Sequence, residues 1–135
     1  MLAVVAGLVT ERLTAKVKLT RNDYYGEYVI GRAFFPGIWA DWQYNSFRFE
    51  IKKNDSVYFF VTDKERLIKT YKGKISTVNP YGSERLIIQM DKPGHHVLNA
   101  NPTVYRSRTG FYLVFNSPRY KNMFFIKAKW KRLPD

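Results

Sequence analysis

Phe47-Arg48-Phe49-Glu50-Ile51-Lys52-Lys53-Asn54-Asp55-Ser56-Val57-Tyr58-Phe59-Phe60-Val61 decides the fold. Phe47, Phe49 and Ile51 alternate with Arg48, Glu50 and Lys52, the period of a half-buried strand. Lys52 to Asp55 supplies a turn, and Val57 to Val61 is a nearly unbroken apolar run. Upstream, Gly37 to Tyr44 carries Trp39, Trp42 and Tyr44 among turn residues. Downstream, a polar turn leads into a further β-like run over 67–75.

The same period governs the rest of the chain. Leu13, Ala15, Val17 and Leu19 alternate with Thr14, Lys16, Lys18 and Thr20, which predicts a half-buried strand. Arg21-Asn22-Asp23 reads as a turn and Tyr28-Val29-Ile30 as a short strand. Phe34-Phe35-Pro36-Gly37 interrupts regular structure, since proline lacks the donor and glycine frees the backbone. Leu86–Met90 and Phe111–Phe115 are strands between the loop signals at 79–83, 91–94 and 116–119. The last strand is expected over Met123–Lys131, with Phe124, Ile126, Ala128 and Trp130 on one face and Phe125, Lys127, Lys129 and Lys131 on the other. Only short helices fit, within 20–25, 38–46 or 95–101. The fold class is mainly β, or α+β: a curled sheet or small barrel in one domain over 1–135, its strand order open.

The 135 residues include no cysteine, which removes disulfides and thiolate chemistry. Met1 to Val9 is apolar but without a basic leader and too short to span a bilayer. It reads as a buried strand of a soluble, cytoplasmic protein with no membrane partner. Net charge is +12 and lopsided. Residues 1–68 hold 10 Lys/Arg against 8 Asp/Glu, and 69–135 hold 13 against 3. Such a field attracts polyanions, nucleic acid first; a generally basic, thermophile-like surface is the plainer reading.

Trp39, Trp42 and Tyr44 are candidate base-binding rings, because bases stack on aromatic faces. Lys127, Lys129 and Lys131 would project together at about 7 Å spacing along a strand. With Arg106, Arg108, Arg119 and Lys121 they are the candidate phosphate contacts; the alternative is a lysine-protected edge strand. Asp41, Glu50 and Lys52 resemble the PD-(D/E)xK nuclease pattern, although the gap from Asp41 is short and Ala40 replaces the proline. Adjacent His95 and His96 point apart on an extended chain and lack a further histidine, so no metal site is expected. Neither a nucleophile elbow nor a phosphate loop occurs. No catalytic residue and no cofactor is assigned.

With these residues in view, 37–77 resembles a PUA-like domain of the EVE/YTH kind. The resemblance rests on Gly37-Ile38-Trp39, then Asn45 and Arg48, the Lys52-Lys53-Asn54-Asp55 turn, the Val57–Val61 strand and the strand over 67–75. Asn54 stands where the family has a turn glycine, and the front of the chain lacks the family's usual opening strand. The resemblance implies a non-enzymatic domain that accepts a flipped, modified base in an aromatic cage. Trp39 would lie in the cage region and Asn45 would read the base. Trp42 and Tyr44 join them by their setting, not by the resemblance. The implied partners are DNA or RNA and a larger effector chain, as in modification-dependent restriction or methylated-RNA reading. Two other readings stand beside it: a structural or interaction protein of a virus or mobile element with an aromatic subunit interface, and a metal-dependent nuclease.

Overall fold

Phe49 sits where the core is built. Its ring stacks on Tyr28 at 4.6 Å and meets Phe125 at 5.0 Å and Phe115 at 5.7 Å, both edge-on. These four rings come from four strands, so the alternation read at 47–51 is the alternation that fills the interior. In the computed structural model, which describes residues 16–34, 37–79 and 82–134, Phe47, Phe49 and Ile51 are buried while Arg48 and Glu50 are half-buried.

The elements are β1 (Gly26–Ile30), α1 (Ile38–Ser46), β2 (Phe47–Ile51), β3 (Ser56–Asp63), β4 (Arg66–Val78), β5 (Arg85–Met90), β6 (Thr103–Arg106), β7 (Phe111–Ser117) and β8 (Lys121–Lys127). Short 3-10 turns span Arg21–Tyr24, Arg32–Phe34 and His96–Leu98. All eight strands join one antiparallel sheet in the order β5-β4-β3-β2-β1-β8-β7-β6, which curls into a nearly closed barrel. The mainly-β expectation holds, and three of the four helical elements, Arg21–Tyr24, Ile38–Ser46 and His96–Leu98, fall where the sequence leaves room for them; the Arg32–Phe34 turn was not expected. Among the described residues, no helix is long and apolar enough to cross a membrane.

Two local choices shape the chain. Gly37 precedes α1 at φ 137°, a conformation that favours glycine. In the turn after β2 the positive φ falls on Asp55 at 67°, not on Asn54. Asn54 instead uses Oδ1 to accept the Ser56 N–H at 3.1 Å.

β5 and β6 are the free edges, and two devices bridge the seam between them. Asn101 Oδ1 accepts the Ile88 N–H at 2.8 Å. Residues 16–20 run along one end of the seam. Leu19 N–H donates to Ser83 Oγ at 2.9 Å and Leu19 O accepts the Glu84 N–H at 2.9 Å. Val17 N–H reaches Ser107 O at 2.8 Å. The expected strand over 13–19 is corrected here. Its alternation survives, with Leu19 buried between exposed Lys18 and Thr20, but the segment bonds to loops and side chains and joins no ladder. The rest of that strand, and the one expected at the N-terminus, lie outside the described residues.

The last strand also differs. β8 stops at Lys127, and the tail leaves the ladder to cross the outer face of the sheet. Phe125 is fully buried, on the face assigned to the lysines, and Phe124 packs outside against Phe34 at 4.8 Å. Both faces of β8 are apolar there, so alternation cannot set the phase.

Ser83→Ala tests the seam. It leaves the buried Leu19 N–H unpaired and is expected to lower unfolding free energy by about 1–3 kcal/mol in urea titrations. An unchanged midpoint would mean that the segment does not hold the seam.

Candidate functional site

One end of the barrel is the mouth, where β2 and β8 begin and β3 and β7 end. Rings close it. Phe47 and Phe59 form a floor, stacked at 5.9 Å. Above them runs a chain of contacts: Trp42 to Tyr120 at 5.5 Å, Tyr120 to His96 at 5.2 Å, His96 to His95 at 4.3 Å and His95 to Tyr71 at 5.5 Å. Cations stand over both ends. Arg119 lies 5.7 Å from the Tyr120 ring centre and Lys69 lies 4.9 Å from that of Tyr71. Each such contact is worth about 0.5–1 kcal/mol at an exposed site.

The two histidines were expected to point apart. A 3-10 turn begins at His96, and this departure from extended backbone brings both rings together. Their protons are placed by their partners. Val97 N–H donates to His95 Nδ1 at 3.2 Å, so neutral His95 carries its proton on Nε2. Ser117 Oγ accepts from Arg119 N and Tyr120 N at 3.2 and 3.1 Å. Its own hydrogen is left for His96 Nδ1 at 2.8 Å, which puts that ring in the same tautomer. Burial, with help from His96 and Lys69, holds His95 down at about 4. Burial and Arg119 also lower His96. The mouth therefore presents two neutral imidazoles, and its positive charge comes from Lys69, Arg119 and Lys121.

The residues expected to form a base cage are divided by α1. Trp39 is 75% exposed and Trp42, one turn on, 43%. Trp42 packs edge-on against Phe47 at 5.6 Å and so belongs to the mouth. Tyr44 does not share their exposure. It is 7% exposed on another face of the helix, where it stacks on Trp130 at 6.2 Å and its hydroxyl accepts the Lys131 N–H at 2.8 Å. The reason is helical period: Ala40 and Tyr44, four apart, are the buried positions. Asn45 lines a separate hollow of about 210 Å³ with Asp41, Lys64 and Arg132. Its Oδ1 is buried with no hydrogen-bond partner among the described residues. Arg48 is pinned: it lies 4.6 Å from the Trp130 ring centre and donates to Lys64 O at 2.9 Å.

The expected row of phosphate contacts is scattered. Arg119 and Lys121 sit at the mouth, whereas Lys127 is at the opposite end of β8, its Nζ donating to Asp23 O at 2.9 Å. Lys129 and Lys131 are exposed on the tail, not on the strand. Arg106 Nη1 is spent on Val17 O at 3.1 Å, and Arg108 is exposed in the β6–β7 turn. Of the residues in the nuclease-like pattern, Glu50 pairs with Lys52 at 3.4 Å, and Asp41 pairs with Arg32 at 2.7 Å. Among the described residues no group of three His, Cys, Asp or Glu gathers to hold a metal.

Tyr71, His95, His96, Tyr120 and Lys69 are the mouth residues that sequence reasoning missed. The Pro93-Gly94 break before the histidines was the one available signal for a turn there. No protein-family model, curated protein or solved structure matches the chain.

The depressed histidines make stability depend on pH. Between about 6.5 and 4 the unfolded chain binds a proton at His95 that the folded one does not. The His95 contribution is complete above about 6.5 and is lost as pH falls towards 4. Thermal melts from pH 7.5 down to about 5 should therefore show a falling midpoint, with a shallower fall in His95→Gln. Identical slopes for both proteins would contradict the assignment.

Proposed function

We propose that the protein binds nucleic acid without turning it over, holding unpaired bases against the rings at the barrel mouth. The observation that carries this reading is the unbroken chain of rings from Trp42 to Tyr71 with Arg119 and Lys69 at its two ends. Every base has a π face, and stacking on an aromatic side chain contributes about 1–3 kcal/mol per base. The two cations suit the phosphates that flank a stacked base, and the net charge of +12 favours encounter with a polyanion. Neutral imidazoles with Nε2 protons add donors without competing for those phosphates.

The resemblance of 37–77 to a PUA-like domain supports the same class of ligand, and a larger effector chain is the partner it adds. An open stacking surface fits the placement of the side chains better than a closed cage, because Tyr44 is buried against Trp130 and Asn45 lines a hollow with Asp41, Lys64 and Arg132. Trp39 extends the surface by one helical turn.

A second reading has its own support. Ile38 and Trp39 are 79% and 75% exposed, side by side at the start of α1. Large exposed apolar side chains of this kind mark subunit interfaces as well as ligand sites.

Fluorescence-polarisation titration with labelled single- and double-stranded DNA and RNA, at low and high salt, separates the two. Single strands are expected to bind more tightly than duplexes. Trp42→Ala should weaken them about tenfold, the loss of one stacked base. Lys69→Ala should weaken all sequences alike and reduce the salt slope by about 0.7. No binding at low salt, together with a mass by light scattering that grows with concentration, would sink the nucleic-acid reading and favour the interface.

A further inference from the structure

A second row of rings lies on the outer face of β6, β7 and β8, away from the mouth. Tyr105 and Tyr112 are cross-strand partners, stacked at 5.1 Å with their planes 10° apart. Tyr112 meets Phe34 at 4.5 Å, and Phe34 stacks on Phe124 at 4.8 Å. Phe34 reaches the sheet because the chain folds back at Gly31. A Cβ on Gly31 would stand 2.7 Å from the Phe34 ring, so the close approach needs glycine. The exposure is concentrated at two of the four rings: Tyr105 is 48% exposed and Phe34 40%, whereas Tyr112 and Phe124 are half-buried. Tyr105 belongs to β6, an edge of the sheet, and among the described residues no strand pairs beyond it.

The hollow beside Tyr105 is lined by three cations, Lys16, Arg85 and Arg106, against one carboxylate, Glu84. The outward polar pair on the same strands, Asn116 and Asn122, is neutral and hydrogen-bonded to itself at 3.0 Å. A face with stacked rings, neutral amides and mainly basic surroundings is complementary to a ligand that is both planar and anionic. It is a poor match for a cationic peptide, which would meet three cations and a single carboxylate beside Tyr105.

We infer that the outer face of β6–β8 is a second base-stacking platform, on which Tyr105 takes an unpaired base of a single-stranded nucleic acid whose other bases occupy the mouth. This rests on the proposed nucleic-acid reading and adds to it: the ligand is single-stranded and long enough to run from the mouth on to the sheet face. A duplex cannot extend the row, because its bases are already stacked on one another.

The test compares short and long oligothymidylates by fluorescence polarisation on the wild type, Tyr105→Ala, Tyr105→Phe and Trp42→Ala. Tyr105 is surface-exposed, so a melting midpoint equal to wild type is expected and confirms folding in each titration. Tyr105→Ala should weaken the long oligomer about tenfold and leave the shortest bound as before, whereas Tyr105→Phe should restore the affinity. If the long oligomer binds Tyr105→Ala as tightly as wild type while Trp42→Ala loses it, the platform is refuted and the mouth stands. If neither oligomer binds the wild type at low salt, the nucleic-acid reading itself fails and the platform with it.

Discussion

Closure of the sheet depends on one short pairing. β1 is hydrogen-bonded to β2 on one side and to β8 on the other, and the second ladder joins only Tyr28 to Lys127, Val29 to Ile126 and Ile30 to Phe125. About a hundred residues separate the two strands, so their meeting carries a large loop-closure cost before any contact offsets it. The offset is the ring cluster directly beneath. Tyr28, Phe49, Phe115 and Phe125 are each at most 1% exposed and belong to β1, β2, β7 and β8. Removing any one of them opens a cavity at the join, where both halves of the chain lose contacts together. The mouth depends on the same join, since β2 carries Phe47 to it and β7 and β8 carry the Ser117–Lys121 turn.

Closure is incomplete at the opposite side of the sheet, and that incompleteness has been managed with single hydrogen bonds instead of a ladder. Asn101 serves one end of the seam and Ser83 with Leu19 the other. Tyr24 works at the same end, donating its hydroxyl to Glu84 O, and burial raises its pKa to about 12. A phenol held this firmly protonated is a permanent donor, suited to holding a carbonyl and unsuited to acid–base work near neutrality. The polar atoms of this end hold the seam; those of the mouth fix two imidazole tautomers, while Lys69 and Arg119 lie over rings.

Much of the fold was legible because β2, β3 and β7 alternate or run apolar between clear turns. The phase of β8 was not, since Phe124 and Phe125 are both apolar and only the docking of Phe34 decides which one faces out. Tyr44 was misplaced for a related reason. An aromatic in a short helix of low amphipathicity has no periodic neighbour to show its face, and the tail residue Trp130 that covers it is 86 positions away. The histidine pair was misjudged because two-residue geometry depends on backbone conformation, which a doublet does not reveal. The exposed tryptophans, by contrast, were found from composition and setting alone.

If the protein binds nucleic acid as proposed, its net charge overstates how many phosphates it would engage. Lys127 and Arg106 are tied to backbone carbonyls, Arg132 is bidentate to Glu65 at 2.8 and 3.0 Å, and Arg48 is bound between Trp130 and Lys64. Each of these cations contributes to the long-range field that speeds encounter, but a direct phosphate contact would first require breaking an internal bond. Counterion release counts only phosphates actually neutralised, so the salt dependence of binding should reflect a few contacts near the rings and not the charge of +12. On the proposed reading, affinity would be carried by stacking, which salt leaves nearly untouched. The ligand would then be chosen for having bases free to stack, and only secondarily for being an anion.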